Sequence, residues 1–154
     1  MSRTILLAAA SLCIALVSAP LHSQQAERPA AAVTGFEDPT LEWGPCPEFL
    51  PAGCAIAVLQ GDPAQPNADI FFKVPGGANI ARHWHTSAER MVLVSGELHV
   101  DYDGHDTARL RQGSYAFGPP RLPHAAKCVS QEPCVLAIAF EAPVDAFEGV
   151  PAQD

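Results

Sequence analysis

Short apolar runs separated by turn residues fill the chain from residue 55 onward. Segment 55–60 ends at Gly61-Asp62-Pro63, and 69–74 ends at Pro75-Gly76-Gly77. Further runs cover 80–85, then 90–94 up to Ser95-Gly96. Segment 97–102 alternates, with Leu98, Val100 and Tyr102 on one face, and stops at Asp103-Gly104, a hairpin-type turn. Segments 107–110, 114–117, 124–129 and 135–140 complete the series. Strand-length runs about ten residues apart, with turns between them, predict an all-β sandwich or barrel. No internal repeat is visible, and any helix falls in the leader or the tail. The Pro-rich stretch 43–51 is expected to pack over a sheet edge.

One of these runs carries chemistry. His83 and His85 are two apart, and Glu89 lies four further on. On a strand, residues i and i+2 project from the same face, which puts the two imidazoles side by side. Two such rings can grip one divalent cation, and a carboxylate adds a hard oxygen ligand. Glu89, Met91 and Leu93 share a face, so the ligand side is otherwise apolar, as in an ordinary small-molecule pocket. His124 follows the turn at 119–123 and can close the shell from a neighbouring strand. Three neutral His and a carboxylate suit Mn, Fe, Ni, Co or Zn, with a position left for water or substrate.

Composition narrows the class. A chain of 154 residues suggests one domain, and 15 Pro with 11 Gly argue against a helical bundle. A net charge of −8 disfavours nucleic acid as a partner. The N-terminus reads as a targeting segment. Arg3 precedes an apolar stretch at 5–17 of signal-peptide length, and cleavage is expected near 23–26. The expected layout is a signal peptide at 1–25, a flexible leader at 26–40, the folded domain at 41–145 and a tail at 146–154. That implies a periplasmic or secreted protein with no membrane contact after cleavage. An uncleaved anchor is the alternative.

Export changes the meaning of the cysteines. Cys13 leaves with the signal, and Cys46, Cys54, Cys128 and Cys134 remain. An even number in an oxidising compartment suggests disulfides. Three pairings are open, with the local one, Cys46–Cys54 and Cys128–Cys134, preferred. A Cys metal site is the competing reading, and no Cys-x-x-Cys spacing supports it.

Gly77, five residues, His83-Trp-His85, three residues, Glu89, six residues and Gly96 resemble the first motif of the cupins at every fixed position. Gly113, Pro119 and His124 match the second motif, whose usual Gly and Asn are here Arg121 and Cys128. The resemblance spans roughly 55–140. It implies a double-stranded β-helix, or jelly roll, with a metal inside the barrel held by His83, His85, Glu89 and His124. It also implies a small-molecule substrate or ligand and a homodimer. The leading expectation is a metal-dependent, dioxygenase-like oxidoreductase, in which Glu89 can also leave the metal and accept a proton. A non-catalytic periplasmic module that binds a small ligand or metal is the alternative. An isomerase or decarboxylase is a further one, though no dedicated acid–base pair is visible beside the ligands.

The remaining polar and aromatic residues have plainer readings. His99 and His105 are expected at the surface, and Arg82 and Arg90 outside the barrel. Arg121 is either a solvated loop residue or an anion holder at the mouth. Trp84 suits a second layer or a dimer interface. Tyr115 and Phe117 are expected to reach the interior, as core packing. Cys128 shares a strand face with His124.

Overall fold

The computed structural model describes residues 31–152. The expected signal peptide at 1–25 and the first residues of the leader lie outside them. No helix occurs among the described residues. Eleven strands are present: β1 (Trp43–Pro45), β2 (Ala55–Gln60), β3 (Asp69–Val74), β4 (Asn79–Trp84), β5 (Glu89–Ser95), β6 (Glu97–Tyr102), β7 (Ala108–Arg111), β8 (Tyr115–Gly118), β9 (His124–Cys128), β10 (Cys134–Phe140) and β11 (Phe147–Glu148). They form a six-stranded sheet in the order β1-β2-β3-β10-β5-β8 and a five-stranded sheet in the order β11-β4-β9-β6-β7. Every pairing is antiparallel. This is the all-β double-stranded β-helix expected from the run spacing and motifs.

Alternation places the core between the sheets. Glu89, Met91 and Leu93 of β5 are buried, as are Leu98 and Val100 of β6. Leu93 and Leu98 are almost fully enclosed, and each such side chain contributes roughly 1.5–3 kcal/mol. Strand β10 lies between β3 and β5 and is buried at five of its seven positions. Its outward Val135 is covered with Ala57 and Phe71 by Phe36, Leu41 and Trp43. A central strand with both faces covered reads as a continuous apolar run, which is what 135–140 shows.

Two strands lack a signature in the apolar pattern. β1 pairs with β2 at the sheet edge, over the Pro-rich stretch expected there. β11 has two exposed residues and pairs with β4 inside the expected tail. Both are too short for periodicity to reveal them; they exist because a partner strand offers free backbone groups.

Tyr115 and Phe117 correct an expectation. They are 62% and 52% exposed and point away from the core, while Ala116 and Gly118 face inward. The register sets this, because Met91 pairs with Ala116 and Glu89 with Gly118. Small residues are required there. A Cβ at Gly118 would lie 3.3 Å from Glu89 Oε2 and 3.6 Å from Tyr102 Cε1.

The local disulfide pairing is the one found: Cys46–Cys54 and Cys128–Cys134. The first ties the segment after β1 to the start of β2. The second joins the end of β9 to the start of β10 and so links the two sheets. Gly96 makes room for it. Its φ is +80°, and a Cβ there would lie 2.9 Å from Cys134 Sγ.

Candidate metal centre

His83 sits near the end of β4, His85 just beyond it, Glu89 opens β5 and His124 opens β9. Antiparallel pairing puts His83 directly opposite His124. Their ring centroids are 4.3 Å apart, with His83–His85 at 4.9 Å and His85–His124 at 5.4 Å. Each ring offers one nitrogen, and these atoms lie within 4.8 Å of one another. All three His and Glu89 are buried. The structure therefore brings together the four residues singled out in the sequence, on three strands and one turn.

The hydrogen bonds orient the rings. His83 Nδ1 lies 2.7 Å from Ala81 O, and His124 Nδ1 lies 3.1 Å from Leu122 O. His85 Nδ1 meets the carbonyl of Asp145. A carbonyl only accepts, so each Nδ1 carries the proton and each neutral ring presents a lone pair at Nε2. Burial, then the neighbouring His124 and His85, push His83 down to about 3. Burial also lowers His124, against the pull of Glu89. Both rings are thus kept neutral, which is the form that binds a metal.

Glu89 tests the fit. Its Oε1 is 3.3 Å from His85 Nε2 and its Oε2 is 3.4 Å from His124 Nε2. His85 Nε2 and Glu89 Oε2 have no hydrogen-bond partner. Lone pairs facing a carboxylate in a buried space repel, and a buried acceptor without a donor costs about 1–3 kcal/mol. A cation among them satisfies all of them at once. The donor set, three imidazoles and one carboxylate, suits a divalent transition metal.

Two residues of the site escaped the sequence reading. Asp145 lies in a Pro-Val-Asp-Ala stretch with no periodicity, yet its carbonyl holds His85 and its carboxylate accepts from Thr86 N at 2.9 Å and from Thr86 Oγ1. Tyr102 lies beside His124, with ring centroids 5.4 Å apart, and its buried hydroxyl has no partner. Burial, then the charge of Glu89, raise this phenol to about 12. Its inward alternation with Leu98 and Val100 was the available signal.

The other candidates lie elsewhere. Arg82 pairs with Asp103 and Arg90 with Glu141, both outside the barrel. His99 is half-buried beside Glu97, and His105 is exposed. Arg121 is an exposed loop residue with φ +62°, bonded to Ala152 O at 3.1 Å and lying 5.4 Å over Trp84. Trp84 stacks on Phe147 at 4.7 Å, in an outer layer. Cys128 faces inward as expected, but its sulfur is in the disulfide.

Beside the four polar residues the barrel holds a cavity of about 250 Å³. Its walls are aliphatic and aromatic, including Leu50, Ile56, Phe72, Leu136, Ile138 and Phe140. Val144, Asp145 and Ala146, from the segment between β10 and β11, also line it.

Comparison with known proteins agrees with this picture. Residues 70–140 match the family model for the cupin domain. No curated protein matches the sequence. Among solved structures the chain is similar to the DMSP lyase DddQ from Ruegeria pomeroyi DSS-3, with a TM-score of 0.61, 20% identity, and coverage of 74% of this chain and 64% of that one. It is similar to oxalate decarboxylase from Bacillus subtilis, with a TM-score of 0.55, 19% identity, and coverage of 65% and 28%. It also resembles a double-stranded β-helix protein from Klebsiella pneumoniae subsp. pneumoniae MGH 78578, with a TM-score of 0.54, 17% identity, and coverage of 68% and 93%. The match spans less than two thirds of the lyase, and at these identities the likeness is one of fold. The motifs, the sheet topology and the matched family model converge on one assignment: the chain carries a cupin domain.

Proposed function

We propose that the chain is an exported metal-dependent enzyme of the dioxygenase type, acting on a small organic molecule held in the barrel. The observation that carries this is the meeting of unpaired Nε2 and Oε2 acceptors with an apolar-walled cavity. His83, His85, Glu89 and His124 would hold one divalent ion, Mn, Fe, Zn or Ni. When bound, such an ion polarises an oxygen of its ligand. The chain's own residues do the rest. The Nδ1 hydrogen bonds fix the rings, the apolar walls exclude water, and Glu89 is placed to accept a proton. Two disulfides favour an oxidising compartment, as the expected signal peptide does. The exposed Val92, Tyr115 and Phe117 on the outer face of β5 and β8 favour a homodimer packed through that sheet.

A second reading has its own observation. Proton-transfer chemistry, as in a lyase or decarboxylase, needs an acid–base pair, and Tyr102 and Glu89 bring a protonated phenol beside a carboxylate. The names of the lyase and decarboxylase neighbours favour the same class. A non-catalytic binding module would use the same cavity.

Elemental analysis of untagged protein purified from the periplasm, followed by screening of small organic molecules, tests the proposal. Bound Fe or Mn with substrate-dependent O2 uptake is expected. Turnover without O2 uptake favours the lyase or decarboxylase reading. Tight binding without turnover favours the binding module. No metal on the protein defeats the metal-enzyme reading.

A further inference from the structure

The cavity also specifies what enters it. No Lys or Arg is among its lining residues, and its acids are Glu89 and Asp145. The carboxylate of Asp145 is already engaged by Thr86. All the other polar lining side chains are the three His, gathered at one end. The remaining walls, Leu98, Val100, Ala126, Leu136 and Ile138 among them, offer no hydrogen-bonding side-chain atom. A polar group pushed against those walls would lose its water without replacement, which is strongly disfavoured. Apolar surface laid against them is favoured.

Charge sets a second limit. A divalent ion beside the Glu89 carboxylate leaves at most one net positive charge at the polar end, since Asp145 adds a second carboxylate to the lining. One negative charge on a ligand is balanced there. A second has no cationic side chain to meet it, and an unpaired buried charge is strongly disfavoured.

Size sets the third. An apolar cavity of about 150 Å³ admits one benzene molecule. The 250 Å³ here admits a substituted ring or a short branched chain together with its polar head.

Building on the metal-centred reading above, we propose that this site takes a largely hydrocarbon molecule of about the size of a substituted benzene, with one metal-seeking end that carries at most one negative charge. Small dianionic acids are excluded from this class. Specificity then lies in the walls of the barrel, and the polar end serves as a common anchor.

The test compares ligands that share a head and differ in the tail. The intact, disulfide-bonded, metal-loaded protein is titrated calorimetrically with benzohydroxamic acid, acetohydroxamic acid and oxalate. Both hydroxamates present the same chelating head with at most one charge, and only the first fills the apolar wall. Benzohydroxamate is expected to bind at least about tenfold tighter than acetohydroxamate, with oxalate weakest. Equal affinity of the two hydroxamates, or tightest binding of oxalate, overturns the proposal. So does failure of both hydroxamates to bind a protein that carries its metal. A protein that takes up no metal defeats the function proposed above, and the cavity is then tested alone. Fluorobenzene followed by fluorine NMR should bind the metal-free protein, and no shift or broadening overturns the inference.

Discussion

The two ends of the barrel are built from the same strands and treat their polar atoms in opposite ways. At the end where β5 passes into β6, Cys128 is bonded to Cys134 and the nearby polar groups are satisfied. Ser130 Oγ donates to Glu132 O at 3.0 Å and accepts from Glu97 N at 3.0 Å, while Ser95 Oγ donates to Pro133 O at 3.1 Å. At the other end, His85 Nε2, Glu89 Oε2 and the Tyr102 hydroxyl are buried without partners. Unsatisfied buried groups are rare in folded proteins and concentrate where something else is meant to bind. The closed end holds the sheets together; the open end carries acceptors that the fold alone leaves wanting. Burial alone does not separate frame from site, since the disulfide at the closed end is as buried as the histidines at the open one.

The largest effect should come from removing what the open end needs. His83→Ala or His124→Ala is expected to weaken metal binding by more than about 100-fold, beyond the 10–100-fold typical of changes to the groups that orient ligands. Competition with a metallochromic chelator measures it. Retained metal in both variants would show that the acceptors serve another purpose. Chelation followed by acid sharpens the same point. In the metal-free protein His83 titrates near 3 when folded and near 6.5 when unfolded, so between these values the unfolded chain binds more protons. Its stabilising contribution is complete above about pH 6.5 and is lost as pH falls toward 3. Between pH 7 and pH 5 the Tm of the chelated protein should fall by about 5 °C or more, and His83→Ala should flatten that slope.

The closed end should answer to different changes. Cys128→Ser/Cys134→Ser opens a short loop and should cost about 2 kcal/mol in urea denaturation. Metal affinity should stay within about threefold of the parent, because the disulfide lies at the opposite end of β9 from His124. A large loss of affinity would mean the two ends are coupled. Asp145→Ala works on the open end from outside the donor set. It removes the acceptor for Thr86 N and Thr86 Oγ1 and loosens the backbone carbonyl that holds His85. About tenfold weaker metal binding with little change in urea midpoint is expected, and partial recovery in Asp145→Asn.

How much of this was readable in the sequence follows from the range of the interactions involved. The nine longer strands showed themselves because alternation and turn residues are local properties of the chain. His83, His85 and Glu89 share one short segment, so their convergence follows from strand geometry, and His124 joined them through motif spacing. Asp145 contacts residues about 60 positions away, through a segment with no strand signal of its own, and no local pattern reports such a contact. Tyr115 and Phe117 misled for a related reason. Large aromatics on an alternating strand suggest an inward face, but the register turns Ala116 and Gly118 inward opposite Met91 and Glu89, and at Gly118 the Glu89 and Tyr102 side chains leave no room for a larger residue.

Tyr102 offers the smallest and most discriminating effect. Its hydroxyl is buried, protonated and unpartnered, so in the metal-free protein it is a desolvated group with nothing gained in return. Tyr102→Phe keeps the ring against His124 and removes only that oxygen. If the hydroxyl is idle, the variant should be stabilised by up to about 1 kcal/mol in the metal-free state, and metal affinity should not change. If the hydroxyl finds Glu89 once an ion draws the carboxylate into a fixed position, the same substitution should weaken metal binding by a few-fold while still stabilising the metal-free protein. Opposite signs in the two states would make Tyr102 part of the open end's function. Equal and favourable signs would leave it as a tolerated defect in the packing.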